Sequence, residues 1–190
     1  MFAVTERLLL RPGWAEDAPA LTAAIAHESV AMKLARLPWP YTQSEAAFWL
    51  NLPRSDTEAN FLIFARTMGA PRLIGGIGLH DQDGETEIGY WLSPPYWGLG
   101  FATEAGRAVV DIARHTLRLE RLVSGHFADN PASGHVLRKL GFRPTGHVVP
   151  RHCTARGQDV PCVLYAQDLG DSEGGEDDNA SMPVRTLLAA

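Results

Sequence analysis

The alternation of apolar and polar positions divides the chain into short strands and modest helices. Residues 6–11 (Glu-Arg-Leu-Leu-Leu-Arg) predict a first strand, stopped by Pro12 and Gly13. Over residues 17–28, Leu21, Ala24, Ile25 and Glu28 recur at helical spacing. Residues 32–37 read as a short turn and Pro38-Trp39-Pro40-Tyr41 as a loop with two large aromatics. Thr42 and Glu45 have the spacing of a capping box, which predicts a helix with Phe48, Trp49 and Leu52 on its apolar side. Three strands follow, at 61–66, 72–80 and 85–92, joined by turns at Gly69-Ala70-Pro71 and Asp81-Gln82-Asp83-Gly84. They form an antiparallel meander. A helical run over 104–117 carries Ala105, Val109, Ile112, Ala113 and Thr116 on one side. After a strand at 121–127, Asn130 suits a helix cap, Pro131 the first helical position and Gly141 the end, with Val136, Leu137 and Leu140 as the apolar side. Residues 142–149 and 159–167 predict a last pair of strands. Strands precede, separate and follow these two helices, so the class is α+β with a mostly antiparallel sheet.

Composition narrows the picture. In 190 residues, 45% hydrophobic and 21% charged, residues 1–169 suit one globular domain. The net charge of −5 gathers in a tail, 170–190, where Asp171, Glu173, Glu176, Asp177 and Asp178 face only Arg185. Residues 170–179 are too polar to bury a core and read as disordered, and 182–190 as a loose terminal turn. The nearly neutral body offers no basic patch for nucleic acid. No apolar run approaches the ~20 residues of a membrane helix. The first residues lack the basic segment and apolar core of a secretory signal, and Phe2 excludes N-myristoylation. Cys153 and Cys162 do not make a disulfide scaffold, so two free thiols in a reducing, cytoplasmic compartment are expected. With His147 and His152 they match no zinc spacing, and no metal is expected. A homodimer is left open.

The stretch with chemistry is Pro95-Tyr96-Trp97-Gly98-Leu99-Gly100-Phe101-Ala102-Thr103-Glu104-Ala105, which leads from the strand at 87–92 into a helix. A helix N-terminus presents backbone N–H groups without internal partners, and its dipole adds positive potential. That combination suits phosphate or pyrophosphate. Gly98 and Gly100 permit positive φ and close approach. A plain strand-to-helix turn would also use these glycines.

A second motif, Asn130-Pro131-Ala132-Ser133 followed by Val136-Leu137-Arg138-Lys139-Leu140-Gly141-Phe142, joins the first. Together they resemble the GNAT superfamily of acetyl-CoA-dependent N-acetyltransferases, with a closer likeness to the RimJ/RimL branch, which acetylates protein N-termini. The branch's Thr-Glu-Arg-Leu-x-Leu-Arg start stands at 5–11, its Gly-Tyr-Trp-Leu at 89–92 and its Tyr-Trp-Gly-x-Gly-Phe-Ala-Thr-Glu-Ala at 96–105. The likeness covers about residues 5–169 and implies a GNAT fold, a mixed sheet of about seven strands flanked by helices, with acetyl-CoA as co-substrate. It implies that main-chain donors at Gly98, Leu99, Gly100, Phe101, Ala102 and Thr103, with Trp97 beside them, hold the CoA diphosphate. Trp91, Leu92 and Ser93 would run along the pantetheine, Asn130 would touch it, and Arg138 or Lys139 would meet CoA phosphates.

Transfer to an amine needs a neutral amine, a polarised thioester carbonyl and a proton for the leaving thiolate. A main-chain N–H near Leu92 can serve the carbonyl. Glu87 is the first candidate base, at the place the superfamily keeps its glutamate, and Glu104 the second. His80, His126, His147 and His152 are weaker candidates by pKa alone. Leu137 stands where many members carry an acidic tyrosine, so Ser133 is the candidate acid. The first two helices and the loop 38–41 would wall the acceptor site, with Trp39, Tyr41 and Trp49 reading more readily as core. Three functions stay open: acetylation of a protein N-terminus, acetylation of a small amine (polyamine, amino acid or antibiotic), and acyl-CoA binding without catalysis. A nucleotide-binding fold would need parallel βαβ units, which the meander opposes.

Overall fold

The structure is a computed structural model that describes residues 1–53, 59–67, 69–170 and the backbone of 185–187. Its strands are β1 (Phe2–Val4), β2 (Leu8–Arg11), β3 (Asn60–Ala65), β4 (Arg72–Gln82), β5 (Glu85–Leu92), β6 (Arg121–Phe127), β7 (Arg143–Cys153), β8 (Gln158–Asp168) and β9 (Arg185–Leu187). Its helices are α1 (Ala18–Ile25), α2 (Glu28–Ala31), α3 (Gln43–Leu50), α4 (Phe101–Asp111) and α5 (Pro131–Lys139). One sheet runs in the order β7-β8-β6-β5-β4-β3-β2-β1-β9. Every neighbouring pair is antiparallel except β5 and β6. The expected sheet of about seven strands is therefore present and is extended at one edge by β1 and β9. β9 comes from the segment expected to be a loose turn. The expectation of disorder over 170–179 falls, from 171 on, outside the described residues.

The meander forms as its pattern predicts. β4 and β5 close through Asp83 (φ 56°) and Gly84 (φ 85°), the two left-handed residues of a tight hairpin turn. Alternation then sorts the side chains. Ile88 and Leu92 of β5 enter the larger core with Ile77 and Leu79 of β4 and Phe101, Ala105 and Val109 of α4. Trp91 packs on the opposite face with Leu21 and Ile25 of α1 and Leu50 of α3. The sheet thus has a face covered by α4 and α5 and a face covered by α1 to α3.

Three local expectations change. Glu28 does not end the first helix but opens α2, after a break at Ala26 and His27. The capping box holds, with the Thr42 N–H donating to Glu45 Oε2 at 2.6 Å, but the buried side of α3 is Ala46 and Leu50. Phe48 sits about 200° around the helix from both and is 69% exposed; Leu52, beyond the helix, is exposed too. Helix α4 starts at Phe101 rather than Glu104, because Gly100 at φ 84° caps it. Its end relaxes into an i→i+5 turn, with the Leu117 N–H donating to Ile112 O.

Candidate active site

β5 and β6 pair at Glu87↔Val123 alone and then diverge. The Ser93 N–H donates to Ile74 O of β4 at 2.8 Å. Antiparallel alternation from that bond turns the polar main-chain groups of Ser93, Trp91 and Gly89 toward β4, and those of Leu92, Tyr90 and Ile88 toward the gap. Side chains already use two gap-facing carbonyls: Ser124 Oγ donates to Ile88 O at 2.9 Å and Trp97 Nε1 to Leu92 O at 2.7 Å. The Leu92 and Tyr90 N–H groups face the opening. Of the three residues expected beside the pantetheine, Leu92 presents main chain. Trp91 and Ser93 do not. Trp91 turns its ring to the other face, and Ser93 is buried with Oγ 3.5 Å from His27 Nε2.

At the mouth of the gap the chain turns through Gly98 (φ 74°) and Gly100 (φ 84°) into α4. Glu104 N–H closes on Gly100 O. The N–H groups of Phe101, Ala102 and Thr103 remain as the open donors of an eleven-residue helix. Phe101 and Thr103 bury their side chains, so only their main chain meets a ligand. Trp97 spends its indole N–H on Leu92 and lays its ring under Lys33 Nζ at 4.2 Å. A Cβ at Gly98 would meet nothing within 4 Å. Gly98→Ala therefore costs only the left-handed backbone, about 1–2 kcal/mol. The expected result is weaker CoA binding with a fold that still melts cooperatively, read by calorimetric titration and thermal melting.

Glu104, the second candidate base, is committed elsewhere. Its Oε1 accepts from Thr5 Oγ1 (2.5 Å) and the Arg7 N–H (2.9 Å), and its Oε2 from Arg7 Nε (2.7 Å). Burial alone would raise its pKa, but these hydrogen bonds and the Arg7 charge hold it below the usual carboxylate range. Arg7 Nη1 continues to Leu99 O at 3.1 Å, and its guanidinium lies 4.4 Å from the centre of the Phe101 ring. Thr5 and Arg7 of the opening motif thus brace the glycine turn.

At the far side of the gap, Asn130 precedes α5. Its side chain makes no capping bond, contrary to the expectation that it caps the helix. Ser133, in the first turn of α5, receives Tyr90 of β5: the phenol donates to Ser133 O at 2.9 Å and lies 2.8 Å from Ser133 Oγ. Leu137 is fully buried in the core. Arg138 directs Nη1 to Tyr165 Oη at 3.1 Å, which ties it to the sheet, and Lys139 is exposed at the helix end.

The opposite face carries Glu87. It is 5% exposed, not solvated at a strand edge. Arg151 Nη1 donates to its Oε1 at 2.6 Å, while its Oε2 is buried without a hydrogen-bond partner among the described residues. Burial would lower the Arg151 pKa, but the Glu87 hydrogen bond and charge raise it instead. Glycines open the floor beside this pair. A Cβ at Gly76, Gly78 or Gly125 would fall within 2.8 Å of Trp91 Nε1, Asn60 Oδ1 or Cys162 Sγ, so those polar atoms lie close across the strands. His80 is the cross-strand partner of Glu87 and its ring abuts Gly89. His126 lies on the other face under α5, His147 is exposed, and His152 is 62% exposed beside Asp159. Cys153 and Cys162 are free and buried; Val149, not Cys153, faces Cys162 across the hairpin.

A strap of residues 32–36 links the β7–β8 tip to the end of β4. The β7–β8 tip docks on it through Thr154 N–H to Ala35 O (2.9 Å), Cys153 Sγ to Leu34 O (3.4 Å) and Arg156 to Met32 O. Arg36 Nη2 donates to Gln82 Oε1 at 2.7 Å on the β4–β5 side. Arg151, Arg7 and Tyr90 are the site residues that sequence reasoning missed. Arg7 and Tyr90 stood inside recognised motifs, but Arg151 did not.

The Acetyltransferase (GNAT) domain family matches residues 7–143. The chain is similar to the uncharacterized N-acetyltransferase YoaA of Bacillus subtilis (strain 168), 29% identical over 159 residues that cover 75% of this chain and 82% of that protein. A solved GNAT-family acetyltransferase from Bacillus anthracis superposes at TM-score 0.77 and 24% identity, covering 90% of this chain and 100% of that one. RimL, solved as a ribosomal L7/L12 alpha-N-protein acetyltransferase in complex with coenzyme A, gives TM-score 0.73 at 21% identity, over 87% of this chain and 96% of that one. The family match spans the splayed strands, the glycine turn and α5 alike, and the chain belongs to the GNAT acetyltransferase family.

Proposed function

We propose that this N-acetyltransferase moves the acetyl group of acetyl-CoA directly to a primary amine, with Glu87 as the base and the α-amine of a protein chain as the acceptor, in the manner of the RimJ/RimL branch. The observation that carries it is Glu87 Oε2, a buried carboxylate oxygen with no partner among the described residues. An unpaired buried acceptor costs about 1–3 kcal/mol, and an incoming amine N–H relieves that cost. Glu87 lies on β5 four residues before Trp91, so the strand that lines the gap also carries the base. The open donors of α4 and the gap-facing N–H groups of Tyr90 and Leu92 suit a diphosphate and a pantetheine arm in turn. Leu92 N–H would polarise the thioester carbonyl. Two buried free thiols agree with a reducing, cytoplasmic compartment.

The near-complete burial of Glu87 favours a slender acceptor, and so keeps a second reading in view, a small-molecule amine. A chain end and a small amine are both slender enough to reach so enclosed a carboxylate. The separating experiment offers acetyl-CoA with peptides bearing free or blocked N-termini, and with polyamines, amino acids and an aminoglycoside, and measures release of free CoA. Turnover with free N-termini alone supports the chain-end reading; turnover with small amines alone replaces it. Thermal melting supplies an independent check. Acetyl-CoA at about 100 times its dissociation constant should add about 2.7 kcal/mol of stability, and NAD or ATP should add none. Equal stabilisation by all three would remove the coenzyme assignment.

A further inference from the structure

We infer that Tyr90 is a positioning residue for the leaving sulfur: its hydroxyl aims the Ser133 O–H into the β5–β6 gap. The inference rests on the reading that this gap holds the thiol end of CoA and that Ser133 is the acid. Tyr90 reaches Ser133 from the strand, with Oη 2.8 Å from Ser133 Oγ and 2.9 Å from Ser133 O. A phenol has one hydrogen, so two arrangements exist. In one, Tyr90 donates to the Ser133 carbonyl and the serine proton turns back onto the phenol. In the other, Tyr90 donates to Ser133 Oγ, and the serine proton is released outward. A negative charge forming in the gap selects the second.

The surroundings hold Tyr90 in this role. Burial pushes its pKa up to about 12, only partly offset by the Ser133 bond and reinforced by Tyr165 nearby. It therefore keeps its proton, and remains a donor, at neutral pH. Gly134 follows Ser133, and a Cβ there would stand 2.5 Å from His126 Nε2 and 3.0 Å from Tyr165 Oη. Only glycine lets α5 settle this close to the rings beneath it. The other titratable groups facing the pair are His126, whose Nδ1 donates to Phe127 O at 2.8 Å, Tyr165, and Arg138, which donates to Tyr165. Leu137, one turn along α5, is sealed in the core and supplies no hydroxyl. The phenol at this end of the gap comes from the sheet, and the helix supplies the Ser133 hydroxyl that it meets.

The step balances. The amine nitrogen forms the C–N bond and the C–S bond breaks with its electron pair on sulfur. Glu87 takes the proton that the amine releases and later gives it to solvent; sulfur takes the Ser133 proton, and Ser133 Oγ regains one from solvent as the products leave. Tyr90 keeps its own proton and supplies direction. Without it, the Ser133 hydroxyl is free to bond back to the main chain at the start of its helix, as serine does.

The test reads the sulfur itself. The ultraviolet absorbance of thiolate, followed against pH, gives the pKa of the thiol of CoA bound to the protein. In the wild type that thiol should titrate below free CoA. Tyr90→Phe should move it up by about one unit, the worth of one hydrogen bond, with the CoA dissociation constant unchanged. In turnover, Tyr90→Phe should lower kcat about tenfold at constant KM for acetyl-CoA, and should add nothing on a Ser133→Ala background. An unmoved thiol pKa, or an equal loss on that background, overturns the role of Tyr90 while leaving the transferase intact. Failure of the wild type to bind CoA at all removes the transferase reading itself.

Discussion

Glu87→Gln lowers turnover by about 10²–10⁴-fold, the usual worth of a positioned base, and leaves acetyl-CoA affinity unchanged. The split follows from the two faces of β5. The Glu87 carboxyl lies on the face covered by α1 to α3, with Arg151 and Cys162, while the gap proposed for the coenzyme runs between β5 and β6 beyond it. Glutamine keeps the shape and still offers Oε1 to Arg151, so the half-buried cation keeps its partner. The other terminal atom becomes an N–H₂. It cannot take a proton and it meets the amine donor to donor. Initial rates with saturating acceptor, together with calorimetric titration of acetyl-CoA, check both halves. Glu85→Gln serves as the control: that carboxylate is 56% exposed, pairs with Arg121 at 3.3 Å, and should change neither number. Wild-type turnover in Glu87→Gln removes Glu87 from the chemistry.

Legibility in the sequence follows the range of the forces involved. β5 and β6 have the bounds that their sequence patterns predict, Glu85–Leu92 and Arg121–Phe127, because strand-forming residues and the turns that flank them are local signals. The glycine turn is readable because left-handed backbone restricts the residue type at Gly98 and Gly100. The face of α3 is not, because an eight-residue helix is placed by its neighbours. Small Ala46, rather than bulky Phe48, meets the core. Arg151 is invisible for a stronger reason. It stands 64 positions from Glu87, in an arm whose curl over the sheet no local pattern encodes. Tyr90 lay inside a motif, but its hydroxyl acquires meaning only when α5, 43 positions later, brings Ser133 to it. Glu104 shows the converse. Its spacing suits a base at a helix N-terminus equally well, and only the return of Thr5 and Arg7, nearly a hundred positions upstream, reveals a brace.

That brace yields the other large effect. Glu104→Ala strips the acceptor from Thr5 Oγ1, the Arg7 N–H and Arg7 Nε at once. Hydrogen bonds to a charged group contribute about 1.5–3 kcal/mol each, but Arg7 is 36% exposed and water recovers part of the loss. A net cost of about 2–3 kcal/mol remains, or about 5–10 °C in Tm for a chain of this size. CoA binding weakens with it, since Arg7 also holds the Leu99 carbonyl inside the glycine turn. The pH dependence carries the same signature. The Glu104 carboxyl sits below its ordinary value of 4.5 in the folded chain. Its stabilisation is therefore complete above that value and fades as pH falls through the lower, folded one. Asp17, held down by Arg11 at 2.7 Å and by the Trp14 N–H against its own burial, adds in the same direction. Thermal melts from pH 7 to pH 3 should show a steep acid limb in the wild type and a shallower one in Glu104→Gln, which has no proton to gain. Parallel limbs would mean that the brace is neutral in energy and that the opening Thr-Glu-Arg motif serves some other end.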